Sequence, residues 1–317
     1  MRGHNCIWRS LCDVPCADDG QSWPLEFCDT CGLVRLARLP SPGEAYPATY
    51  YGTGRKKFLP GVEFLSHLSP ALMNAAVSLA AAAAHRPRRP RVLDVGCGRG
   101  YLLRRFKALG WSPSGIDIEG SPLPIDDEGL DCHRAEAASL PWPDETFDLV
   151  VINHVLEHVA EPWTACAEAA RVLRPNGVLY VGVPNFGSIQ SRLFGSYWFP
   201  LEIPRHVFHF KSQPLRALVG EAGFSIVRQS TRSFRQGVFA FLQSTLNWLD
   251  SGRQNLLLSV LKGQTTAMTF PSLCHVAAAA LLLPIAFAET TFSWILGRGS
   301  VIILVCRKLP AVPPSAH

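Results

Sequence analysis

The chain has 317 residues, of which 48% are hydrophobic and 17% charged, and its formal net charge is +5. This length suffices for one large domain with an appendage. The charge is mild and no basic stripe is interleaved with aromatic residues, which argues against a nucleic-acid-binding protein. The N-terminus carries cysteines and charges where the apolar core of a signal peptide would lie. We therefore expect a cytoplasmic protein whose ten cysteines stay reduced.

The first 45 residues form a cysteine-rich head that is predicted to hold zinc. The segment CDTCG has the form of a zinc knuckle, in which a tight turn directs two thiolates at one metal ion and glycine relieves the turn. An irregular pair of cysteines precedes it, and Cys6 could replace either member of that pair. The alternative is a knuckle that folds without metal. The predicted ligands are Cys12, Cys16, Cys28 and Cys31.

Residues 46–90 are interpreted as a linker followed by a helix over Ser69–His85. Ser69 can cap this helix, and Pro70 occupies the first helical position, where its missing N–H costs nothing. The sequence RPRRP at positions 86–90 ends the helix.

A short apolar strand, Val92–Val95, then runs into three glycines at alternating positions. Glycine lets the backbone approach a ligand closely because no Cβ intrudes, and the helix predicted over Tyr101–Leu109 offers N–H groups at its start. A dinucleotide site would read G-x-G-x-x-G with an acid about 20 residues later. Here an acid, Asp94, precedes the glycines, which counts against a nicotinamide-dependent oxidoreductase. The glycines are Gly96, Gly98 and Gly100.

Further segments alternate between strands and helices, which predicts a parallel sheet with helices on both faces. One strand ends with an acid, Asp117, and a helix over Ser212–Ala222 precedes the penultimate strand. The additional strands expected are Pro113–Ile118, one at the start of LVVINHVLEHV (149–159), one at the end of ARVLRPNGVLYVGVPN (170–185), Phe224–Ser230 and Ser300–Arg307.

The pattern D-x-G-x-G-x-G resembles the first motif of class I S-adenosylmethionine-dependent methyltransferases. EAASLPWPDETFD (136–148), LVVINHVLEHV, with its "LEH" helix, and ARVLRPNGVLYVGVPN follow where that family would put them. The resemblance covers residues 90–230 and resumes at the last strand. It implies a Rossmann-like, doubly wound, seven-stranded α/β sheet whose last strand is antiparallel, with S-adenosylmethionine as cofactor. The cofactor contacts that it implies are Asp94, Gly96, Gly98, Asp117, Glu136 and Asn153.

Methyl transfer requires placement and exclusion of water, and it needs a base only when the acceptor is a hydroxyl or an acidic carbon. His154 follows Asn153 at the C-terminal edge of the sheet, where ligands of open α/β sheets bind. His206 and His209 lie where the family builds its acceptor pocket. We expect His154 or His206 as the base, and His158 as a residue that orients the LEH helix. The alternative for each is a helix-cap or core histidine.

An insertion over residues 231–299 separates the last two strands, and positions 263–288 carry no formal charge. Its segment Leu273–Ala288 is long enough to enter a bilayer. If the flanking strands pair in one sheet, both ends of the insertion lie on the same side, which argues against a single span. An interfacial or re-entrant membrane contact through 263–296 is expected. Burial against the core or a second subunit is the alternative.

Together these features predict an S-adenosylmethionine-dependent methyltransferase acting on a small-molecule, glycan-linked or lipid-linked acceptor near the inner face of the membrane. A quinone-type acceptor fits the head and the insertion less well. A non-catalytic partner protein with the same fold is the third class, but both Asp94 and Asp117 are present. The head resembles that of bacterial methyltransferases from surface-polysaccharide gene sets. The predicted boundaries are 1–45 for the head, 46–90, 91–230 for the core, 231–299 and 300–317.

Overall fold

A computed structural model of the protein describes residues 6–16, 21–46, 89–118, 123, 130–263 and 269–310. The helix expected over Ser69–His85 lies outside the described residues. The strands are β1 (Trp8–Pro15), β2 (Ser22–Cys28), β3 (Val34–Leu36), β4 (Arg91–Val95), β5 (Ser112–Asp117), β6 (Asp131–Arg134), β7 (Phe147–Asn153), β8 (Leu173–Pro184), β9 (Phe208–His209), β10 (Phe224–Ser230) and β11 (Val301–Lys308). The α-helices are α1 (Pro42–Ala45), α2 (Tyr101–Ala108), α3 (Pro162–Val172), α4 (Ile189–Phe194), α5 (Ser212–Glu221), α6 (Phe234–Leu249), α7 (Leu256–Leu261) and α8 (Phe270–Ile295).

A seven-stranded sheet has the order β10-β11-β8-β7-β4-β5-β6. Strands β4 to β8 pair in parallel, whereas β11 is antiparallel to both β8 and β10. The central strands β4 and β7 are buried along nearly their whole length, as expected where helices cover both faces of a parallel sheet. The doubly wound α/β fold and the antiparallel insertion of the last strand are confirmed.

The three strands of the head form a second sheet, of order β1-β2-β3-β9. Its fourth strand, β9, comes from the core and pairs with β3 through Val34 opposite His209 and Arg35 opposite Phe208. The head also packs its buried Trp23 in one apolar cluster with Trp198 of the core. The head therefore lies against the segment that carries His206 and His209.

The segment around the LEH motif, Leu156–His158, forms turns instead of the expected helix. The backbone carbonyl of Glu157 accepts the N–H groups of Val207, at 2.7 Å, and Phe208, at 3.0 Å. That carbonyl is thus engaged by a distant segment, and the next helix, α3, starts only at Pro162. Tertiary hydrogen bonds outweigh the local helical pattern here.

Candidate functional site

The glycine bend after β4 adopts the backbone that its sequence predicts. Gly96, Gly98 and Gly100 have φ angles of 75°, 49° and 73°, in the left-handed region that favours glycine. The N–H groups of Gly96 and Cys97 donate to the carbonyl of Ile116 at 2.8 and 2.9 Å. These hydrogen bonds hold the bend at the C-terminal end of β5 and leave a cradle with little side-chain bulk.

Two carboxylates flank this bend. Asp94 is only 5% exposed, and burial, followed by the nearby charge of Asp117, raises its pKa to about 8. Asp117 accepts the N–H of Gly98 at 2.7 Å through Oδ2 and that of Ile118 at 2.8 Å through Oδ1. A buried carboxyl whose charged form is disfavoured becomes easier to ionise when a positively charged ligand binds beside it. The bend is therefore suited to a cationic ligand.

Asn153 and His154 lie where β7 ends, at the same edge of the sheet as the bend. A Cβ at Gly182 on β8 would overlap Oδ1 of Asn153, so glycine makes room for that side chain. His154 has a φ of 57°, which is uncommon for a residue with a side chain. Because strained backbone conformations cluster at functional sites, this φ angle suggests a functional role for His154.

The side chain of His154 is held between two groups. Its Nδ1 donates to Oε1 of Glu157 at 3.1 Å, and the side-chain amide of Gln236, in the first turn of α6, donates to its Nε2. Glu157 is 1% exposed. Burial raises the pKa of its carboxyl, but the hydrogen bond from His154 and the nearby histidines outweigh burial and lower it. His154 itself is 28% exposed, and its Nε2 is the nitrogen that can accept a proton.

The other histidines lie deeper. His206 is 4% exposed, and its Nδ1 donates to the carbonyl of Pro200 at 2.8 Å. Burial holds its pKa well below the usual range, and burial lowers the pKa of His209 to about 3. Nδ1 of His158 lies 3.1 Å from the carbonyl of Arg205, to which it donates, and 3.2 Å from the hydroxyl of Tyr46. His158 therefore contacts these two segments, and the LEH helix that it was expected to orient is not formed in the described residues.

Five of the six predicted cofactor contacts lie around the C-terminal ends of β4, β5 and β7. The sixth, Glu136, is exposed in the turn after β6, which is the edge strand of the sheet. Sequence reasoning did not single out Glu157 or Gln236 as partners of His154. Glu157 lies in the quoted LEH motif, whereas no sequence signal marks Gln236, because it comes from the insertion.

The head brings three cysteines together. Cys6, Cys28 and Cys31 have sulfur atoms within 4.8 Å of one another. Burial raises the pKa of Cys28, but hydrogen bonds from Cys31, from the Thr30 backbone and from Cys6 outweigh it and lower the pKa to about 7. Burial, followed by the contacts with its neighbours, raises the pKa of Cys6 to about 12, and burial also raises the pKa of Cys31. Three convergent sulfur atoms fit the thiolate ligation of a structural zinc site.

The predicted ligands Cys12 and Cys16 lie outside this group in the described part of the chain, and Cys6 lies in it instead. The reason is the register of the first hairpin: Cys28 pairs with Trp8, Cys12 pairs with Leu25, and the N–H of Cys16 donates to the carbonyl of Gln21. At about 3.3 Å per residue, Cys12 and Cys16 lie roughly 13 and 26 Å along the strand from Trp8.

Comparison with known proteins agrees with this geometry. A family model described as a methyltransferase domain matches residues 65–229, just over half of the chain. The ubiquinone biosynthesis O-methyltransferase of Maricaulis maris is 32% identical over 150 residues, covering 43% of this chain and 59% of that protein. A probable S-adenosylmethionine-dependent methyltransferase of Mycolicibacterium smegmatis is 31% identical, covering 45% of this chain and 55% of that protein.

The chain thus spans little more than half the length of these relatives. Among solved structures, a sarcosine dimethylglycine methyltransferase from Galdieria sulphuraria, itself assigned as putative, is 16% identical with a TM-score of 0.48, over 75% of this chain and 87% of that one. A likeness at that level adds nothing to what the strand order already shows.

Proposed function

This chain belongs to the family of S-adenosylmethionine-dependent methyltransferases, and from that premise we propose that it methylates a lipid-linked or glycan-linked small-molecule acceptor at the inner face of a membrane. The observation that supports the membrane location is the exposed apolar surface of helix α8. A nicotinamide cofactor is disfavoured by the glycine spacing and by the acid before it.

The glycine bend, Asp94, Asp117 and Asn153 would hold the cofactor. S-adenosylmethionine supplies, when bound, a methyl group activated on a sulfonium. The buried carboxylate of Asp94 would stabilise positive charge on that ligand, and the glycine backbone allows it to approach. The protein's own contribution is then placement and exclusion of water.

His154 is the base that we propose for a hydroxyl acceptor. It stands at the cofactor edge of the sheet, Glu157 fixes its Nδ1 as the protonated nitrogen, and Nε2 is left to accept a proton. Gln236 occupies that nitrogen in the structure, so an acceptor hydroxyl would take its place. His206 is buried behind this loop, and we assign it no proton transfer.

Helix α8 exposes its apolar side chains, whereas a helix in the core of a soluble protein buries them. It is 26 residues long with a mean hydropathy of 1.9 in its most apolar stretch, yet only 17% of that stretch is buried. Large apolar side chains face outward, with Leu281 80% and Phe270 79% exposed. Small and polar residues face the protein along one stripe. They are Ser272, His275, Ala279, Ala286, Thr290 and Ser293.

The single charged residue of α8, Glu289, also faces inward, where it accepts hydrogen bonds from Gln190 and Ser293. Close packing of small residues and inward polar groups are what helices surrounded by lipid use. At the end of α8, the guanidinium of Arg232 lies 4.4 Å from the ring centroid of Trp294, and Arg298 is exposed. Cations and tryptophan beside an apolar face suit anionic lipid headgroups.

Helix α6 connects this face to the site, because it packs against α8 and carries Gln236. A Cβ at Gly237 would lie 2.6 Å from Cγ2 of Thr290, so the two helices approach closely there. The helix that contacts His154 is thus in direct contact with the apolar face. This continuity supports an acceptor that is delivered from the membrane.

Flotation of the full chain with vesicles of phosphatidylglycerol and phosphatidylethanolamine tests the membrane contact. We expect the wild type to float with the vesicles and Leu281→Glu/Ile285→Glu to bind at least tenfold more weakly, because each large apolar side chain gains about 1.5–3 kcal/mol on leaving water. Leu109→Glu, an exposed leucine outside the insertion, should float like the wild type. The lipid partner would be refuted if the double variant floated as well as the wild type. It would also be refuted if the wild type bound no vesicles but formed a dimer, and the double variant were monomeric.

The cysteine group of the head supports a second, structural proposal. We propose that Cys6, Cys28 and Cys31 bind one zinc ion that stabilises the head against β9. The convergence of the three sulfur atoms supports this assignment.

A further inference from the structure

A second group of metal-ligand side chains lies under the loop that follows β7. One ring nitrogen each from His158 and His206 and one carboxylate oxygen of Glu157 lie within 4.8 Å of one another. A further carboxylate, that of Glu202, places Oε2 at 3.4 Å from Nε2 of His206. This group is separate from the cysteines of the head.

In this group, hydrogen-bond acceptors on His206 and on the two carboxylates face one another with no proton between them. His206 donates Nδ1–H to the carbonyl of Pro200, so Nε2 of the neutral ring is an acceptor. That nitrogen faces Oε2 of Glu202 and lies 4.0 Å from Oε1 of Glu157. The other oxygen of Glu157, Oε2, is buried and has no hydrogen-bond partner among the described residues. A buried carboxylate oxygen without a donor is costly, and a cation removes that cost.

The surroundings of these ligands fit a metal site. Histidines that bind metals usually donate their second ring N–H to a carbonyl or a carboxylate. Both His206 and His158 have such a bond, to the carbonyls of Pro200 and Arg205. The guanidinium of Arg205 donates to Oε1 of Glu202 at 3.1 Å, while Oε2 of the same carboxylate faces Nε2 of His206 at 3.4 Å. The rings and carboxylates are therefore oriented before any ion binds.

We propose that Glu157, His158, His206 and Glu202 bind one divalent first-row transition-metal ion. Two imidazoles with carboxylates are a ligand set suited to zinc, iron or manganese. Because Glu157 also accepts the hydrogen bond from His154, the ion would fix the position of that histidine as well. Methyl transfer does not itself require this ion, and binding of the ion can be measured without any acceptor.

Cobalt(II) titration of the metal-stripped full chain tests this site. The cysteines of the head are removed from the measurement by Cys28→Ser/Cys31→Ser. In that background we expect one Co²⁺ per chain, with visible ligand-field bands and no thiolate charge-transfer band. Glu202→Gln and His158→Gln should each weaken binding at least tenfold. Glu161→Gln, an exposed carboxylate on the same loop, should leave it unchanged.

Circular dichroism and thermal melting distinguish a variant that has lost its metal ligand from one that has lost its fold. Glu202 and His158 are partly exposed, so their variants are expected to retain the native spectrum. Co²⁺ should raise the melting temperature of the Cys28→Ser/Cys31→Ser protein, and Glu202→Gln should abolish that rise. The proposal is overturned if the Cys28→Ser/Cys31→Ser protein, with the circular dichroism spectrum of the wild type, binds no Co²⁺. It is also overturned if native-like Glu202→Gln and His158→Gln bind Co²⁺ as tightly as that parent.

Discussion

Gly96 packs its backbone directly against the side chain of Val155, so closely that a Cβ at position 96 would overlap Cγ2 of Val155. This contact joins the glycine bend after β4 to the loop after β7, which carries His154. The cofactor cradle and the proposed base are thus positioned by one packing contact. Gly96 has two separate reasons to be glycine: this contact and its positive φ.

Gly96→Ala should therefore lower the stability of the protein more than a substitution that creates backbone strain alone. We expect the affinity for S-adenosylmethionine to fall at least tenfold and the free energy of unfolding to fall by about 2–4 kcal/mol, from left-handed strain and overpacking. Gly110→Ala is the matched control, since Gly110 has a φ of 82° with open space around its Cβ. Calorimetric titration and urea unfolding measure both quantities. The contact is refuted if the two variants lose equal stability, or if adding Val155→Ala recovers none of the loss.

Asp94→Asn should change stability and binding in opposite directions. The pKa of Asp94 in the folded state is raised to about 8, above about 4 in the unfolded chain. The native state thus binds the proton more tightly, and stability that is present below about pH 4 is lost as the pH rises to about 8. The variant should melt higher than the wild type, by a margin that grows between about pH 5 and pH 8. It should also bind S-adenosylmethionine at least tenfold more weakly. A lower melting temperature at every pH with unchanged binding would contradict this role.

His154→Gln should slow methyl transfer while sparing the cofactor. Removal of a general base typically costs about 10²–10⁴ in rate, so kcat should fall at least a hundredfold with little change in the affinity for S-adenosylmethionine. Transfer of labelled methyl into membrane extract provides the rate. His133→Gln, an exposed histidine on β6, serves as the control and should behave like the wild type. A His154→Gln protein that transfers at the normal rate would show that the acceptor needs no base from this residue.

Cys6→Ser should release the zinc of the head, whereas Cys12→Ser should retain it. Cys12 lies within β1 and Cys6 lies just before it, and of the two only Cys6 lies beside Cys28 and Cys31. Elemental analysis after gentle purification should give about one zinc per chain for the wild type and for Cys12→Ser. Loss of zinc from Cys12→Ser, or a wild-type protein without zinc, would contradict the proposed ligand set.

Local patterns predicted the core well and the long-range contacts poorly. The strand Phe224–Ser230 and the positive φ of the three glycines follow from alternation and from glycine's lack of a Cβ. Nothing local marks the pairing of β3 with β9, since β9 has two residues and its partner is far along the chain. The membership of the cysteine group depends on the register of one hairpin. The turns at the LEH motif depend on hydrogen bonds from the N–H groups of Val207 and Phe208. Register and tertiary hydrogen bonds are set by packing, which periodicity does not encode.

We propose that methyl groups pass from S-adenosylmethionine to an acceptor held at the membrane. The most direct measurement incubates the full chain with S-adenosylmethionine labelled in its methyl group and with membranes from cells lacking the protein. We expect label in the lipid-extractable or lipid-linked glycan fraction, and we expect that label to be lost with both Asp94→Asn and Leu281→Glu/Ile285→Glu. Label that appears only in water-soluble molecules, or that is unaffected by the α8 substitutions, would contradict it.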